Sequence, residues 1–548
     1  MDSNTRVLLE IDKLSVAFRS EEGWKTVIHD VSLSLKRGES LGVVGESGSG
    51  KTVSSLACMG LLPPGISRIE GGSIRFEGSD LLANEGAAAQ AFRGSRMAMV
   101  FQEPMSALNP SMRCGEQVAE AVRLHRKLKS DQAHTVVTDL FAEVELPNPE
   151  AMYARYPHEL SGGQKQRVMI ALALAGDPSL LIADEPTTAL DVTVQASILK
   201  LLRRLREERG LAMLFISHDL DVVARVADRV AVMWNGRVVE LGPTERLLTH
   251  PEHPYTRGLL ACKPPVTGAR TVLPTVSDVL ENRTVQAHSF AINTGSEPIV
   301  QVRNVSKSFV TRRNLFGRPT AFFEAVRGVS FDVIRGETLG IVGESGCGKS
   351  TLSRMVMQLL KPDSGDIVYL TSKRGGGPAV QLVFQDPFSS LNPRITAVGC
   401  LIEALTVSGV CSDKRAARSK ALALMAEVGL PEAFADRYPH AFSGGQRQRL
   451  VIARALCTEP EVLILDESVA ALDISVQAQV LNLLNRLKEE RNLTYIFISH
   501  DLRVVRFMSD RVLVMYKGKI EELGPAQAVM EHPRSAYTQK LVAGALGA

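Results

Sequence analysis

The chain has 548 residues, of which 45% are hydrophobic and 22% are charged, and its formal net charge is +3. It is too long for one hydrophobic core, so several domain-sized units are expected. The nearly balanced charge gives no reason to expect a nucleic-acid partner, and no apolar run reaches the roughly 18 residues that a membrane-spanning helix needs.

The cysteines and the first residues indicate the compartment. The seven cysteines are scattered and form no CxxC pair or cluster with metal-ligand spacing, which favours reduced structural thiols. The N-terminal sequence MDSNTRVLLEIDKLS has no basic start followed by an apolar core, so no secretory signal is expected. Both features favour the reducing interior of the cell.

Every distinctive stretch of the chain occurs twice. Residues 8–18 and 299–309 are alternating, strand-like runs, and each precedes a glycine-rich segment, RGESLGVVGESGSGKT or RGETLGIVGESGCGKS. The second copy has seven extra residues in the basic loop 311–323. The first has fifteen extra residues around 80–96, a predicted short helix and loop whose counterpart 371–379 is predicted to be a loop. A duplication followed by changes of length that are confined to surface loops explains this pattern.

The two glycine-rich segments fit the pattern GxxxxGK[ST]. Each lies between an apolar strand and a predicted helix, which is the context that a P-loop requires. Glycines permit positive φ, so successive backbone N–H groups can converge on phosphate oxygens, while the lysine binds phosphate and the next hydroxyl binds Mg²⁺. The residues predicted to hold nucleotide in this way are Gly45, Ser47, Gly48, Gly50, Lys51 and Thr52, and Gly343, Ser345, Gly346, Gly348, Lys349 and Ser350. A P-loop alone indicates only a nucleoside triphosphatase.

The sequence SGGQ opens a predicted helix in each copy. Its serine can cap the helix and its glycines expose backbone N–H groups, which form an anion site with a favourable dipole. An ordinary serine-capped helix is the alternative. Because each copy already has a complete P-loop, a second phosphate site makes sense only if it serves the nucleotide held by the other copy. The residues of these segments are Ser161, Gly162, Gly163 and Gln164, and Ser443, Gly444, Gly445 and Gln446.

A short apolar run ending in Asp-Glu follows each SGGQ helix. LLIA precedes Asp184 and Glu185, and VLIL precedes Asp466 and Glu467. Such a run predicts a strand of a parallel sheet, buried on both faces, whose carboxyl end lies beside the P-loop. The two aspartates are expected to hold Mg²⁺, and the two glutamates to polarise the attacking water.

The copies also set the domain boundaries. Residues 1–262 form the first copy and residues 298–548 the second, and the copies end in the related sequences HPYTRGLLAC and EHPRSAYTQKLV. Residues 263–297 show no sustained period and are rich in Pro, Thr, Ser and Val, so we interpret them as a linker.

Together these motifs resemble those of ABC-type ATPases with two nucleotide-binding domains in one polypeptide. The resemblance covers nearly the whole chain. It implies an α/β fold of two tandem P-loop domains, each with a RecA-like core, an antiparallel β subdomain and a helical subdomain, here residues 103–160 and 386–442. The helical subdomains would receive the coupling helices of separate permease subunits.

The resemblance also implies roles for residues that, taken singly, would be weak evidence of function. The evidence lies in their order and spacing, because the serine of SGGQ and the histidine are 57 residues apart in both copies. The implied roles are adenine stacking for Phe18 and Phe309, catalytic and Mg²⁺-contacting Q-loop positions for Gln102 and Gln385, D-loop positions for Asp191 and Asp473, and γ-phosphate contact for His218 and His500.

Three stretches, residues 101–113, 384–396 and 253–262, resemble the peptide/nickel-type importer ATPases more narrowly. That group implies two integral-membrane permeases, a solute-binding protein and a peripheral position on the cytoplasmic face of the bacterial inner membrane. Its members often bind an iron–sulfur cluster in the C-terminal extension. Cys262 stands alone there, so we expect no cluster and no iron-dependent visible absorption. The sequence does not distinguish among the solutes that such importers carry, which include dipeptides, longer peptides, glutathione, opines and metal chelates.

Both copies keep every charged and phosphate-binding position, although Phe442 replaces Leu160 and Ser468 replaces Pro186. We therefore predict two competent MgATP sites within one chain, each pairing one P-loop with the SGGQ segment of the other copy. The main alternative is a twin ATPase acting on ribosomes, but such proteins usually have a long charged helical linker. A fused monosaccharide-importer ATPase usually has one degenerate site, and a scaffold would not need two general bases.

Overall fold

The computed structural model describes residues 7–20, 23–83, 87–102, 107–187, 190–265, 268, 270–285, 288–290, 296–314, 316, 318–370, 380–384, 386–470 and 472–546. The chain divides into two compact units, residues 1–190 with 194–260 and residues 191–193 with 261–548.

In the first unit, the described strands are β1 Val7–Ser20, β2 Gly23–Lys36, β3 Ser40–Val44, β4 Ser67–Phe76, β5 Ser79–Asp80, β6 Met97–Val100, β7 Leu180–Asp184, β8 Ala212–Ser217, β9 Arg229–Trp234 and β10 Arg237–Pro243. The helices are α1 Lys51–Cys58, α2 Ala87–Phe92, α3 Cys114–Arg126, α4 Ser130–Glu143, α5 Pro149–Tyr153, α6 Gly162–Leu174, α7 Val192–Arg209, α8 Leu220–Ala224, α9 Thr244–Thr249 and α10 Pro254–Ala261.

These strands form an antiparallel sheet, in the order β2-β1-β4-β5, and a mainly parallel sheet, in the order β10-β9-β3-β8-β7-β6. Strands β3, β7 and β8 are buried along their whole length. Continuous apolar strands of this kind are expected where helices cover both faces of a parallel sheet. The predicted buried strand before Asp184 is therefore confirmed, as is the short helix predicted within residues 80–96.

The second unit repeats the arrangement. Its described strands are β11 Pro298–Arg313, β12 Pro319–Ile334, β13 Thr338–Val342, β14 Ser364–Tyr369, β15 Val380–Val383, β16 Val462–Asp466, β17 Thr494–Ile498, β18 Arg511–Tyr516 and β19 Lys519–Pro525. Its helices are α11 Val276–Leu280, α12 Lys349–Val356, α13 Pro387–Ser390, α14 Ala397–Val407, α15 Lys414–Glu427, α16 Gly444–Leu456, α17 Ile474–Arg491, α18 Leu502–Met508, α19 Ala526–Glu531 and α20 Ala536–Leu546.

The sheets of the second unit are β12-β11-β14, which is antiparallel, and β15-β16-β17-β13-β18-β19, which is parallel except at β19. Helices α3 to α5 and α13 to α15 fall within the ranges predicted to form the helical subdomains. The predicted loop 371–379 lies outside the described residues. Among the residues that are described, no helix is both long and apolar enough to cross a membrane.

Part of the predicted linker packs on the second unit. This part, residues 270–285 and 288–290, is called the strap below. The guanidinium of Arg270 lies 2.9 Å from a carboxylate oxygen of Asp510, and both side chains are buried. The side-chain amide of Asn482, on α17, accepts a hydrogen bond from the N–H of Leu273 at 2.9 Å and donates one to its carbonyl at 2.8 Å. The composition of the segment did not signal this packing.

Candidate nucleotide-binding sites

In each unit the predicted site residues follow neighbouring strands of the parallel sheet. In the first unit the P-loop follows β3, His218 follows β8, Asp184 ends β7 and Gln102 follows β6. These strands are adjacent in the order β3-β8-β7-β6. The carboxyl edge of a parallel sheet is where α/β proteins bind ligands, and it brings side chains that are distant in sequence into one cluster.

The first P-loop has the backbone that its glycines predict. Gly48 and Gly50 have φ of 78° and 102°, in the region that favours glycine. A Cβ atom on Gly45 would lie 2.1 Å from the carbonyl oxygen of Met233, so no side chain fits there. The buried ammonium of Lys51 donates to the carbonyl oxygens of Gly45 at 2.7 Å and Glu46 at 2.9 Å. The loop is thus folded around its lysine.

Thr52 and Asp184 form an oxygen pair next to this loop. The Thr52 hydroxyl donates to a carboxylate oxygen of Asp184 at 3.3 Å. Burial raises the pKa of Asp184 to about 6, and the neighbouring charge of Glu185 adds to the rise. A buried carboxylate beside a hydroxyl is a donor set that suits Mg²⁺, which prefers hard oxygen ligands. A bound cation would also offset the cost of burying the charge.

Glu185 is held on both carboxylate oxygens. Gln102 donates its side-chain N–H to one oxygen at 3.0 Å, and Nδ1 of His218 lies 3.3 Å from the other. The backbone of Glu185 has φ of 45°, which is uncommon for a residue with a side chain, and its N–H donates to the carbonyl of Ile216 at 2.9 Å. The structure therefore brings the predicted base, switch histidine and Q-loop glutamine of the first unit together.

The second P-loop repeats this geometry. Lys349 is buried and donates to the carbonyl oxygens of Gly343 at 2.7 Å and Glu344 at 3.0 Å. Gly346 and Gly348 have φ of 79° and 111°. Two loops with the same closed lysine arrangement agree with the sequence duplication.

The carboxylates of the second unit differ from those of the first unit in one contact. The hydroxyl that donates to Asp466 belongs to Ser353, at 3.3 Å, one helical turn beyond the predicted Ser350. Burial raises the pKa of Asp466, and the charge of Glu467 adds to the rise. Serine lacks the methyl group that fixes the threonine rotamer, which leaves its hydroxyl less constrained.

Glu467 and His500 form the matching charged pair. Nδ1 of His500 lies 3.7 Å from a carboxylate oxygen of Glu467, and Glu467 has φ of 48°. The interaction with His500 lowers the pKa of Glu467. Burial by itself would lower the pKa of His500, but the contact with Glu467 and its charge raise the pKa above the ordinary value. Gln385, the predicted Q-loop residue of this unit, lies outside the described residues.

The predicted adenine-stacking residues have different surroundings. Phe18, near the end of β1, is partly buried and packs against the hydrophobic core of the first unit. Phe309, on β11, is 41% exposed. It pairs across the strands with Phe323, whereas Phe18 pairs with Lys25. An exposed aromatic ring is available for stacking in the second unit.

The SGGQ segments form capped helix N-termini, as predicted. Ser161 accepts a hydrogen bond from the N–H of Gln164 at 3.3 Å, and the Gln164 side chain accepts one from the N–H of Ser161 at 3.1 Å. Ser443 and Gln446 form the same capping box on α16. A Cβ atom on Gly163 would lie 2.6 Å from a methyl group of Val194, so a side chain here would require Val194 to move.

The other members of these segments and the D-loop residues fall at element ends. Gly162 and Gly444 are the first residues of α6 and α16, and a Cβ atom on Gly445 would lie 2.1 Å from a methyl group of Val476. Asp191 directly precedes α7, and Asp473 is the N-cap of α17.

The structure adds a tyrosine to each site that sequence reasoning missed. Tyr255 on α10 accepts a hydrogen bond from the backbone N–H of Glu46, and Tyr537 on α20 accepts one from Glu344, both at 3.0 Å. Both tyrosines stand in the C-terminal extensions, in the related sequences HPYTR and SAYTQ. The repeated Tyr-Thr pair was the signal that could have identified them.

The fold and these clusters define a tandem P-loop ATPase. A family profile described as "ABC transporter" matches residues 28–188 and 326–470, and one described as "Oligopeptide/dipeptide transporter, C-terminal region" matches residues 239–286. The chain belongs to the ABC transporter family and is an ABC-type ATPase. Both P-loop lysines and both Asp-Glu pairs of the sequence lie within the regions matched by the first profile.

Curated relatives match almost the whole chain. The glutathione import ATP-binding proteins GsiA of Escherichia coli O157:H7 and Pectobacterium atrosepticum are each 44% identical to it, over 98% of this chain and 89% of theirs. The protein of the same name from Salmonella choleraesuis is 43% identical, over 98% of this chain and 90% of its own.

Two solved structures share the fold over most of this chain. The archaeal ribosome recycling factor aABCE1, in complex with the ribosomal stalk protein aP1, is 21% identical with a TM-score of 0.58, over 93% of this chain and 90% of that one. The RNase-L inhibitor is also 21% identical, with a TM-score of 0.57, over 91% and 88%. At this identity the likeness concerns the fold alone.

Proposed function

We propose that this chain hydrolyses ATP to drive uptake of glutathione or other short peptides through separate permease subunits. The observation that carries the proposal is the 44% identity, over 98% of the chain, to proteins named for glutathione import. The match of residues 239–286 to the oligopeptide/dipeptide transporter region supports the same solute class. The partners would be two integral-membrane permeases and a solute-binding protein, at the cytoplasmic face of the bacterial inner membrane.

The cluster in each unit supplies what phosphoryl transfer to water requires. The P-loop N–H groups and Lys51 would hold the phosphates of ATP, and Glu185 would orient the attacking water and receive its proton. Gln102 and His218 keep the carboxylate of Glu185 in place, since each contacts one of its oxygens. Lys349, Glu467 and His500 would have the same roles in the second unit.

The oxygen donors Thr52 and Asp184, with Gln102 as a further ligand, would hold Mg²⁺ in the first unit, and Ser350, Asp466 and Gln385 would do so in the second. The bound metal ion would neutralise charge that develops on the phosphate oxygens. The 3.3 Å contact between Thr52 and the buried Asp184 fits this donor set. No iron–sulfur cluster is part of the proposal.

Each MgATP would be completed by the SGGQ segment of the opposite copy. This pairing rests on the sequence argument that a unit with its own P-loop has no use for a second phosphate site. Ser161 to Gln164 would therefore complete the site of Lys349, and Ser443 to Gln446 that of Lys51. Asp191 and Asp473 would lie where one site can influence the other.

A Ser161→Arg variant tests this pairing. The arginine blocks the helix N-terminus, so photolabelling with 8-azido-ATP is expected to fall at least tenfold at the nucleotide site of the second P-loop and less than twofold at that of the first. Mapping the labelled peptides by mass spectrometry measures both. Ser443→Arg is the matched variant and should give the reverse pattern. If Ser161→Arg instead abolished labelling at the site of the first P-loop, which contains Lys51, the pairing would be contradicted.

Reconstitution tests the transport function. The chain is combined in liposomes with the permease subunits that copurify with it. Glutathione-loaded binding protein is expected to raise ATP turnover several-fold, because the loaded complex promotes closure of the ATPase. The unloaded binding protein is the control. Stimulation by ribosomes, with no response to the permeases, would favour the twin ATPase that acts in translation.

A further inference from the structure

The hydroxyl of one tyrosine contacts the P-loop backbone in each unit. The N–H of Glu46 donates to Tyr255, and the N–H of Glu344 donates to Tyr537, at 3.0 Å in both cases. Tyr255 is fully buried. Burial raises the pKa of Tyr537, so its hydroxyl stays protonated and the oxygen accepts as a neutral group. Neither tyrosine has a role in the chemistry described above.

The peptide group that each tyrosine contacts is the one that binds the P-loop lysine. The peptide between Gly45 and Glu46 offers its carbonyl oxygen to Lys51 at 2.7 Å and its N–H to Tyr255. The peptide between Gly343 and Glu344 is held in the same way by Lys349 and Tyr537. Because a peptide group is planar, fixing its N–H also fixes the direction of its carbonyl oxygen.

Each tyrosine is itself held by an aromatic residue at the end of a neighbouring strand. The ring of Tyr255 stacks on Trp234, with centroids 5.3 Å apart, and the ring of Tyr537 stacks on Tyr516 at 4.2 Å. The residue before Trp234 is Met233, whose carbonyl oxygen excludes any side chain at Gly45. The extension and the strand end therefore enclose the start of the P-loop together.

We propose that Tyr255 and Tyr537 are positioning residues that hold the first peptide of each P-loop in the orientation that bound phosphates need. The C-terminal extension is then a working part of the nucleotide site. The inference rests on the proposed function, since it assumes that the P-loops bind ATP. Without the hydroxyl the peptide can turn, and a partly buried N–H loses its acceptor. A single such bond corresponds to about a fivefold change in affinity.

The test isolates the second site in the full-length chain. A Lys51→Ala background disables the first site, and Tyr537→Phe is introduced into it. Calorimetry measures the Kd of the Mg²⁺ complex of AMP-PNP and the Kd of tripolyphosphate, which has no base or sugar. Both are expected to rise about fivefold, because the tyrosine acts on the phosphate-binding backbone.

Tyr495→Phe in the same background is the matched control. Tyr495 is fully buried in the same unit, and its hydroxyl donates to the carbonyl of Leu484 at 2.9 Å. Both variants lose one hydroxyl hydrogen bond, so both should lower the thermal midpoint, but only Tyr537→Phe should change either Kd. The inference is overturned if Tyr537→Phe leaves both Kd values unchanged. It is also overturned if Tyr495→Phe raises them as much as Tyr537→Phe does.

Two further variants make the outcome decisive. Tyr255→Phe in a Lys349→Ala background repeats the test on the first site. It replaces the test on the second site if the Tyr537→Phe chain does not fold. A Lys51→Ala, Lys349→Ala double variant should bind no AMP-PNP. If the double variant binds as the parent does, the P-loop assignment fails and the inference fails with it. If it does not bind and the tyrosine variants bind as the parent does, only the inference fails.

Discussion

A chain in which Glu185 and Glu467 are both replaced by glutamine is expected to hydrolyse ATP about 10²–10⁴-fold more slowly than the parent, the range that a positioned general base contributes. The substitution preserves the shape of the side chain. An amide can still accept from Gln102 with its oxygen and face His218 with its nitrogen, so the cluster keeps its geometry and loses only the negative charge. ATP should then stay bound in a closed state.

Phosphate release measures turnover, and gel filtration followed by nucleotide extraction measures retained ATP. Glu143→Gln together with Glu427→Gln is the control, because each of these glutamates pairs with an arginine at the end of a helix, Arg209 or Arg491, outside the clusters. Turnover of the control should stay within about twofold of the parent, since among the described residues neither glutamate contacts a P-loop or the carboxylate clusters. Parental turnover in the Glu185, Glu467 variant would show that neither residue is the base.

The features that the sequence predicted are local ones. The capping box of Ser161 and Gln164 spans four residues, and the P-loop pattern spans eight. The buried strand that ends in Asp184 is an uninterrupted apolar run. In such segments a few neighbouring residues determine the backbone, so a pattern is sufficient. The parallel sheet then brings the ends of these segments together, which is why the cluster around Glu185 could be anticipated.

The contacts that the sequence did not predict join residues far apart in the chain. Arg270 and Asp510 are 240 residues apart, and Glu46 and Tyr255 are 209 apart. No period or spacing encodes such pairs, because nothing in the sequence around one residue of a pair points to the other. The shift of the hydroxyl donor from Ser350 to Ser353 depends on side-chain rotamers and is equally invisible in a motif.

Replacing Asp510 by alanine is expected to destabilise the second unit by about 3–5 kcal/mol and to release the strap. Asp510 is 3% exposed and contacts two buried cations, Arg270 at 2.9 Å and Lys488 at 2.8 Å. It also accepts a hydrogen bond from the N–H of Thr338 at 2.7 Å. Removing the carboxylate leaves two buried positive charges without their partner, which carries a cost of this size.

The first unit contains the matched control at Asp228, which occupies the same position in the repeat. Asp228 pairs with Arg206 at 2.8 Å and accepts a hydrogen bond from the N–H of Ser40 at 2.8 Å, but its side chain is 51% exposed. Asp228→Ala should therefore cost only about 1 kcal/mol, because water already screens a pair whose carboxylate is half-exposed. The comparison separates the effect of the strap from the effect of the shared ion pair.

Hydrogen exchange measured by mass spectrometry reports both the release of the strap and the local stability of the second unit. Denaturant unfolding measures the global stability. In the Asp510→Ala chain, peptides of the strap and of α17 should exchange faster, while those of the first unit should be unchanged. Arg270→Ala should also release the strap at a smaller cost, since Asp510 keeps Lys488 as its partner. Equal destabilisation by Asp510→Ala and Asp228→Ala, with the strap still protected, would show that the strap adds nothing to the second unit.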